Sequence, residues 1–280
     1  MPGVDTSVKA PDGPGIAVIV STCDRPDALD AVLRSLAEQT YCRFEIVVAD
    51  DGSGPDTREL VERHAEESRL GLRHVHQEDR GYRLAAIRNR AAAATEQPYL
   101  IFLDGDCLVR PDYVETHARL AAPGHFVHGS RVRLDPGLSR IAIEQGPRIG
   151  RWGAARWLGE WLRGRVDRFT PLLRVPLGPL RRMSPRRWRG VKGCNLALWR
   201  SDFLAVNGFD EGFQGWGFED NDLVVRLIRN GVRRREGRYA VPVLHLWHEL
   251  RPPDPASRER FERRMRSDTV RAERGIDGYG

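Results

Sequence analysis

The sequence has few cysteines, almost no lysine and no long apolar run, and each shortage excludes a class of protein. Its four cysteines are widely separated and form no Cys-x-x-Cys pair, so we expect neither a zinc knuckle nor a disulfide framework. No apolar run approaches the roughly 18 residues that cross a bilayer. Residues 1–15 also lack the basic-then-apolar order of a secretory signal, which predicts a cytoplasmic location.

The positive charge is carried almost entirely by arginine and is concentrated in one segment. Lys9 and Lys192 are the only lysines, and the formal net charge is +6. Between residues 140 and 190, thirteen arginines stand against three acidic residues, so this segment carries +10 and the rest of the chain −4. It also holds four tryptophans and lacks a clear helical or strand period, which indicates an insertion or flap.

Apolar runs alternate with amphipathic stretches through the first hundred residues. This alternation predicts a single α/β domain with a mostly parallel central sheet and helices on both faces. We expect its first strands at residues 16–21, 44–49, 72–76 and 99–103. Later strands are predicted at 126–132, 193–200 and 241–246, and a helix at 220–230.

The most informative stretch is residues 98–107, Pro-Tyr-Leu-Ile-Phe-Leu-Asp-Gly-Asp-Cys. Its apolar run is typical of a strand buried on both faces, so Asp104 and Asp106 follow the sheet edge where α/β proteins bind ligands. Side chains two apart point the same way, and two convergent carboxylates repel unless a cation, a proton or a hydroxyl-rich ligand lies between them. A divalent metal carrying a nucleotide diphosphate meets that need. A solvated turn is the alternative.

Two earlier loops, 22–25 and 50–53, also follow predicted strands and are polar. In a doubly wound sheet such loops converge on one crevice. Backbone groups near Thr22 and the carboxylate of Asp50 or Asp51 could therefore hold a base and a ribose. A helix N-cap and turn is the plainer interpretation of residues 50–53.

Ordered motifs run through most of the chain. Ile-Ala-Val-Ile-Val-Ser-Thr at 16–22, Val-Val-Ala-Asp-Asp-Gly-Ser at 47–53, Arg88-Asn89 within 81–90, and Phe-Leu-Asp-Gly-Asp at 102–106 resemble family 2 glycosyltransferases. Gly-Phe-Asp-Glu at 208–211 and Trp-Gly-Phe-Glu-Asp-Asn-Asp at 216–222 resemble their galactosyltransferase and chondroitin-polymerase-like branch. The resemblance covers about residues 16–247, except for the arginine-rich segment. It implies the GT-A fold, a Rossmann-like α/β architecture.

The resemblance divides the chain into four parts. Residues 14–135 would form the nucleotide-sugar-binding half and residues 136–190 an insertion or flap. Residues 191–250 would form the acceptor-binding and catalytic half, followed by a peripheral C-terminal helix at 251–280.

Residue roles follow from the same resemblance. Thr22, Asp24 and Asp51 would hold the uridine, with Arg25 beside them, and Asp104 with Gly105 would lie at the ribose and metal. Arg83 and Arg88 would reach the base or diphosphate, although solvated helix charges are the plainer alternative.

Asp106 would bind Mn²⁺ or Mg²⁺ directly, with His248 and then His245 as further ligands, since a mixed carboxylate, imidazole and phosphate-oxygen shell suits these ions. Each histidine could equally be a packing residue.

Asp220, paired with Glu219 at a helix start, would be the general base, because the helix dipole favours an ionised carboxylate there. Trp216 would stack on the acceptor sugar. The implied acceptor-binding residues are Trp216, Gly217, Asn221 and Asp222.

The implied function is inverting, metal-dependent transfer of one hexose or N-acetylhexosamine from a UDP-sugar to a saccharide or lipid-linked acceptor. Residues 148–189 are a candidate contact with an anionic membrane at its inner face, with an acidic polysaccharide or solvent as alternatives. No motif supports nucleic-acid binding. The rival functions are a haloacid-dehalogenase-like phosphatase, which also uses Asp-x-Asp after an apolar strand, and a basic membrane- or nucleic-acid-binding module.

Overall fold

The central strands carry apolar side chains on both faces, and helices pack against each face. The domain therefore has three layers, with one sheet between two layers of helices. The computed structural model describes residues 13–68, 71–249 and 252–279. Val18 and Val20 face one apolar cluster and Ala17 and Ile19 face the other, the period of two expected of a strand. The predicted α/β architecture is therefore confirmed.

The described residues form a seven-stranded sheet and a three-stranded sheet. The strands are β1 (Ile16–Thr22), β2 (Phe44–Asp50), β3 (Leu72–His76), β4 (Tyr99–Asp104), β5 (Cys107–Leu108), β6 (His125–His128), β7 (Arg131–Arg133), β8 (Asn195–Trp199), β9 (Arg233–Glu236) and β10 (Val243–His245). The large sheet has the order β3-β2-β1-β4-β8-β6-β9, and the small one β5-β10-β7. Strands β1 to β4 are parallel and β8 runs antiparallel to both neighbours, so the sheet is mostly parallel.

Helices cover both faces of the large sheet. They are α1 (Pro26–Ala37), α2 (Pro55–Glu67), α3 (Leu84–Ala93), α4 (Tyr113–Leu120), α5 (Pro136–Gln145), α6 (Ala154–Leu162), α7 (Arg200–Ala205), α8 (Glu219–Arg229) and α9 (Pro255–Met265). Proline in the first turn starts several of them, where its missing N–H costs no hydrogen bond. Among the described residues, no helix is both long and apolar enough to cross a bilayer. Residues 1–12, part of the stretch behind the predicted location, lie outside the described residues.

One predicted strand differs from the structure, and two observed strands were not predicted. The single strand predicted at 126–132 is two strands, β6 and β7, which belong to different sheets on either side of Gly129. A Cβ on Gly129 would lie 2.4 Å from the carbonyl oxygen of Val241, so the chain turns where only glycine fits. The sequence patterns also missed β5 and β9.

The arginine-rich segment is packed more closely than a flap would be. It contains α6 and short 3₁₀ helices, and Trp157, Ile149 and Leu172 are buried in the same apolar cluster as α1. The C-terminal helix is also less peripheral than predicted, because Phe261 and Arg264 of α9 are buried. Both segments therefore belong to one folded domain.

Candidate active site

The three loops predicted to converge meet at the carboxyl edge of the sheet. The backbone N–H of Gly105 donates to the Ser21 carbonyl at 2.7 Å, and that of Asp51 donates to the Thr22 carbonyl at 3.0 Å. A Cβ on Gly105 would lie 2.9 Å from the Ser21 oxygen, so glycine is required for this close approach. The loops after β1, β2 and β4 therefore lie side by side and form the base of the candidate site.

Arg88 of α3 places its guanidinium group beneath these loops. Its side chain is 1% exposed and donates to Ser21 Oγ at 3.1 Å and to Asp104 Oδ1 at 2.7 Å. Its Nη1 lies 3.3 Å from Glu219 Oε1. Arg88 therefore joins the loop after β4 to the start of α8. Because the Arg88 side chain is enclosed in this way, the structure does not support its predicted direct contact with the base or diphosphate.

Glu219 and Asp220 begin α8 and have different surroundings. Glu219 Oε2 is buried and has no hydrogen-bond partner, and burial together with the neighbouring Asp220 raises the pKa of Glu219 to about 7. Asp220 Oδ2 accepts from the Gly193 N–H at 2.7 Å, and Oδ1 accepts from the Asn221 N–H at 2.7 Å. The pair thus combines an oriented carboxylate with one whose proton is exchangeable near neutral pH.

Asp106 lies beside both histidines that the sequence predicted as metal ligands. Its carboxylate oxygens are each 3.6 Å from an imidazole Nε2, one of His245 and the other of His248. Two atoms bound to one ion at about 2.1 Å lie roughly 3.0 to 3.5 Å apart, so this spacing fits a shared metal ligand set. Burial lowers the pKa of His245 to about 4, which keeps its imidazole neutral and able to coordinate. The residues present therefore fit a divalent cation.

Two other residues border this group. Cys107 Sγ lies 3.6 Å from Asp106 Oδ1, within ligand distance of the same point as His245. Arg25 Nη1 is 3.6 Å from Asp106 Oδ2 and has no hydrogen-bond partner, so it is available to an incoming anion. Burial raises the pKa of Asp104, with Asp106 adding to the effect and Arg88 opposing it.

The predicted uridine-binding residues lie together on the β1 and β2 side. Asp51 accepts from Gln77 and from the Arg83 backbone N–H. Asp24 has a left-handed backbone, φ 45°, and its carboxylate accepts from the Gly54 N–H at 2.9 Å. Thr22 Oγ1 is buried without a partner. The Arg83 guanidinium instead donates to the Glu78 carbonyl.

The loop before α8 presents Trp216. Gly215, Gly217 and Phe218 all have positive φ, and for Phe218 this is a strained conformation of the kind found at functional sites. Trp216 is 38% exposed, and its carbonyl accepts from the Asp254 N–H at 2.9 Å. The segment before α9 therefore supports a loop that exposes one aromatic ring.

Two predicted acceptor-binding residues differ in their position. Asn221 lies against Asp220 through its side-chain amide. Asp222 is fully buried and forms ion pairs with Arg226 and Arg264, both at 2.7 Å. Its carboxylate faces the interior, so the structure gives it a structural role in place of the predicted acceptor contact.

The sequence patterns missed several residues around the site. Tyr82 borders Glu219, and burial raises its pKa well above the usual range. Burial opposes the charge on Arg131 of β7, but the nearby thiols of Cys194 and Cys107, and then the two carboxylates of the Asp-Gly-Asp loop, raise its pKa. Gln77 orients Asp51. Tyr82 lies inside the motif at 81–90, so the sequence could have indicated it. Arg131 begins β7, just after a break between strands that the sequence did not predict.

Comparisons with known proteins show the family to which the chain belongs. Residues 17–177 match the model of glycosyl transferase family 2, and residues 182–248 match the model called N-terminal domain of galactosyltransferase. The chain is 37% identical over 245 residues to validoxylamine A glucosyltransferase of Streptomyces hygroscopicus subsp. jinggangensis, covering 83% of this chain and 54% of that protein. It is 30% identical to chondroitin synthase of Escherichia coli, covering 78% and 32%. The chain thus spans about half the length, or less, of these relatives.

Solved structures share the fold. TarS of S. aureus in complex with UDP has a TM-score of 0.61 at 15% identity, covering 94% of this chain and 68% of that one. A mannosyltransferase of Pyrobaculum calidifontis, solved with GDP-Man and Mn²⁺, has a TM-score of 0.56 at 21% identity, covering 90% and 61%. The chain therefore belongs to glycosyltransferase family 2 and has the GT-A fold.

Proposed function

We propose that this protein transfers one hexose or N-acetylhexosamine from a UDP-sugar to a hydroxyl of a saccharide or glycolipid acceptor, with inversion and with a divalent metal. One observation carries the proposal. Asp106 with two histidines, and the Glu219–Asp220 pair, lie at the same sheet edge and are connected through Asp104 and Arg88. A metal-dependent leaving-group site and a candidate base are thus joined in one network.

The donor half has a role for each group. Asp51 and the backbone near Thr22 bind the base, while Arg25 faces the diphosphate. Asp106, His245 and His248 would hold Mn²⁺ or Mg²⁺, which when bound supplies positive charge to the departing diphosphate. Arg88 keeps Asp104 oriented from below. These assignments explain why several carboxylates, arginines and imidazoles share one edge.

The acceptor half supplies the proton acceptor. Asp220 Oδ2 accepts from the Gly193 N–H, whereas Oδ1 accepts from both the backbone and the side-chain amide of Asn221. Oδ2 therefore has a further lone pair for an acceptor hydroxyl. Asp220 would remove the hydroxyl proton as that oxygen attacks the anomeric carbon from the face opposite the diphosphate, and one such displacement inverts the configuration. Trp216 is exposed enough to stack on the acceptor ring.

Relatives support the reaction class. One is named as a glucosyltransferase and another as chondroitin synthase, and solved neighbours were crystallised with UDP or GDP-Man. Because the chain spans about half of the first relative, the activity of the whole protein is inferred from the site rather than from these names.

The test is a screen of nucleotide sugars for Mn²⁺-dependent release of the nucleoside diphosphate, followed by transfer assays. We expect UDP release from a UDP-sugar, and at least a tenfold loss of UDP binding in Asp106→Asn. Asp220→Asn should keep UDP affinity within about twofold and lose about 10²- to 10⁴-fold in transfer, the usual contribution of a general base.

The exposed Asp268 provides a matched control, since Asp268→Asn removes a carboxylate far along the chain from the motifs. Full transfer by Asp220→Asn would exclude this residue as the base. Hydrolysis of phosphomonoesters without release of sugar from any nucleotide sugar would instead support the phosphatase.

A further inference from the structure

We propose that the outward face of α6 binds the surface of an anionic lipid bilayer. This face, the α6 docking face, consists of Leu158, Trp161 and Leu162. Their spacing of three and four residues places them on one side of the helix. The proposal goes beyond sugar transfer, which requires no such surface.

The α6 docking face is apolar and open to solvent. Leu162 is 71% exposed, Trp161 44% and Leu158 38%. Trp157, one turn before Trp161, is buried in the large apolar cluster of the domain, and Glu160 is also buried. The helix therefore has a buried side and an exposed apolar side, on which the Trp161 ring lies 6.4 Å from that of Phe169 between centroids. Contiguous apolar surface of this kind marks a site of interaction with a protein or a membrane.

Exposed apolar side chains are concentrated in this part of the sequence. Of ten large hydrophobic side chains that are exposed in the described residues, six fall between residues 158 and 183. They are Leu158, Trp161, Leu162, Val175, Leu180 and Met183. Random scatter over the described surface would place few of them in so short a stretch. Three of the six, Leu158, Trp161 and Leu162, form the α6 docking face.

The charges around α6 match an anionic partner. Arg156 and Arg163 are exposed on and beside the helix. A cleft of about 530 Å³ at its N-terminal end is lined by Arg110, Arg151 and Arg174. Arg151 pairs with Glu38 and Arg174 with Asp112, whereas the buried Arg110 donates to the Leu172 carbonyl. Arginine beside exposed tryptophan and leucine is the composition of a helix that lies in the headgroup region of a membrane.

The two ends of α6 relate this surface to the candidate active site. Residues 164–167, just after the helix, line a cavity of about 270 Å³ together with His245, Trp247 and His248. Nine residues of helix span about 13 Å. A bilayer against the α6 docking face would therefore lie close to the cavity beside the candidate metal ligands.

An apolar partner fits better than an acidic polysaccharide. An acidic polysaccharide would use the arginines for its charged groups and Trp161 for stacking on a sugar ring, but the exposed leucines would add little to its binding. A bilayer interface uses both, because apolar side chains enter the headgroup and acyl boundary while arginines contact lipid phosphates.

Co-sedimentation with vesicles tests the proposal without any sugar substrate, so its outcome is independent of the proposed transfer. We expect the protein to bind vesicles of phosphatidylcholine with 30% phosphatidylglycerol at least about tenfold more tightly than pure phosphatidylcholine vesicles. Trp161→Ser combined with Leu162→Ser should weaken binding by about tenfold or more. Arg151→Gln combined with Arg174→Gln should weaken it severalfold and reduce its dependence on salt.

Matched controls separate this surface from general stickiness and charge. Met265→Ser removes an exposed apolar side chain of α9, and Arg58→Gln with Arg63→Gln removes two exposed charges of α2. Both controls should bind vesicles as the parent protein does, and thermal melting should show all variants folded. Equal binding to both vesicle types, or unchanged binding of the Trp161 and Leu162 variant, would overturn the proposal. So would self-association or binding to polygalacturonate in place of vesicles.

Discussion

Arg88 shows how one buried side chain organises a site whose other members are acidic. Its guanidinium is almost fully enclosed, yet it contacts Ser21, Asp104 and Glu219. A buried charge of this kind is tolerated only when it is paired and hydrogen-bonded, and loss of one partner leaves the others unpaired. Gly193 packs against the same residues. A Cβ at this position would lie 2.8 Å from Arg88 Nη1 and 3.2 Å from Asp220 Cβ, so the close packing requires glycine.

Glu219 should make the stability of the protein depend on pH. Its pKa is raised by burial from 4.5 to about 7 in the folded state. Folding therefore favours the protonated form, and this contribution is fully present below pH 4.5 and lost as the pH rises through about 7. A shift of this size corresponds to about 3 kcal/mol. Glu219→Gln should then be more stable than the parent by up to about 3 kcal/mol at pH 8 and nearly equal at pH 4.5.

Urea unfolding at the two pH values measures this difference. The charged and polar groups that face Glu219 are Arg88, Asp104, Asp220 and Tyr82. The exposed Glu262 of α9 offers a control, since Glu262→Gln should change stability by less than about 0.5 kcal/mol at either pH. If Glu219→Gln is less stable than the parent at pH 8, attraction to Arg88 outweighs the cost of burial.

At the scale of elements, the sequence predicted what depends on local pattern. The buried strands β1, β2 and β4 are continuous apolar runs, so their ends and the acids that follow could be located. β9 reads Arg-Arg-Arg-Glu and has no apolar period, so pairing with β6 is visible only in three dimensions. The same limit explains Asp222, whose partner Arg264 is 42 residues away in the chain. A motif identifies which residues are special, but not which way each carboxylate faces.

Helix α9 is attached to α8 and to the Gly-Phe-Asp motif by buried ion pairs. Arg264 contacts Asp210 and Asp222, and both carboxylates are fully buried. Because breaking a buried pair leaves charge uncompensated, Arg264→Met should destabilise the protein by about 3 kcal/mol or more in urea unfolding. Arg263→Met, on the same helix but solvent-exposed and paired with exposed Glu259, should cost less than about 0.5 kcal/mol. Equal losses of stability in the two variants would mean that the buried ion pairs of Arg264 contribute no more than an exposed arginine of the same helix.

At the scale of the whole molecule, the two segments matched by family models form one structure. Residues 17–177 contribute β4 and β6, and β8 from residues 182–248 lies between them in the same sheet. The candidate site spans this division, since Arg88 contacts Glu219 and Asp106 lies beside His245. Any ligand that joins Asp106 to the histidines therefore connects the two segments and should stabilise the domain as a unit.

Mn²⁺ provides a direct measure of this coupling. A ligand that binds only the folded state at about 100 times its Kd adds about 2.7 kcal/mol, which for a domain of this size raises Tm by roughly 5 to 10 °C. We expect this rise in differential scanning calorimetry, its reversal by EDTA, and its loss in Asp106→Asn, whereas Asp268→Asn should keep it. An equal rise in Asp106→Asn would show that Mn²⁺ binds elsewhere. Loss of the rise in Asp106→Asn but not in Asp268→Asn would support a metal site at Asp106, beside His245 and His248.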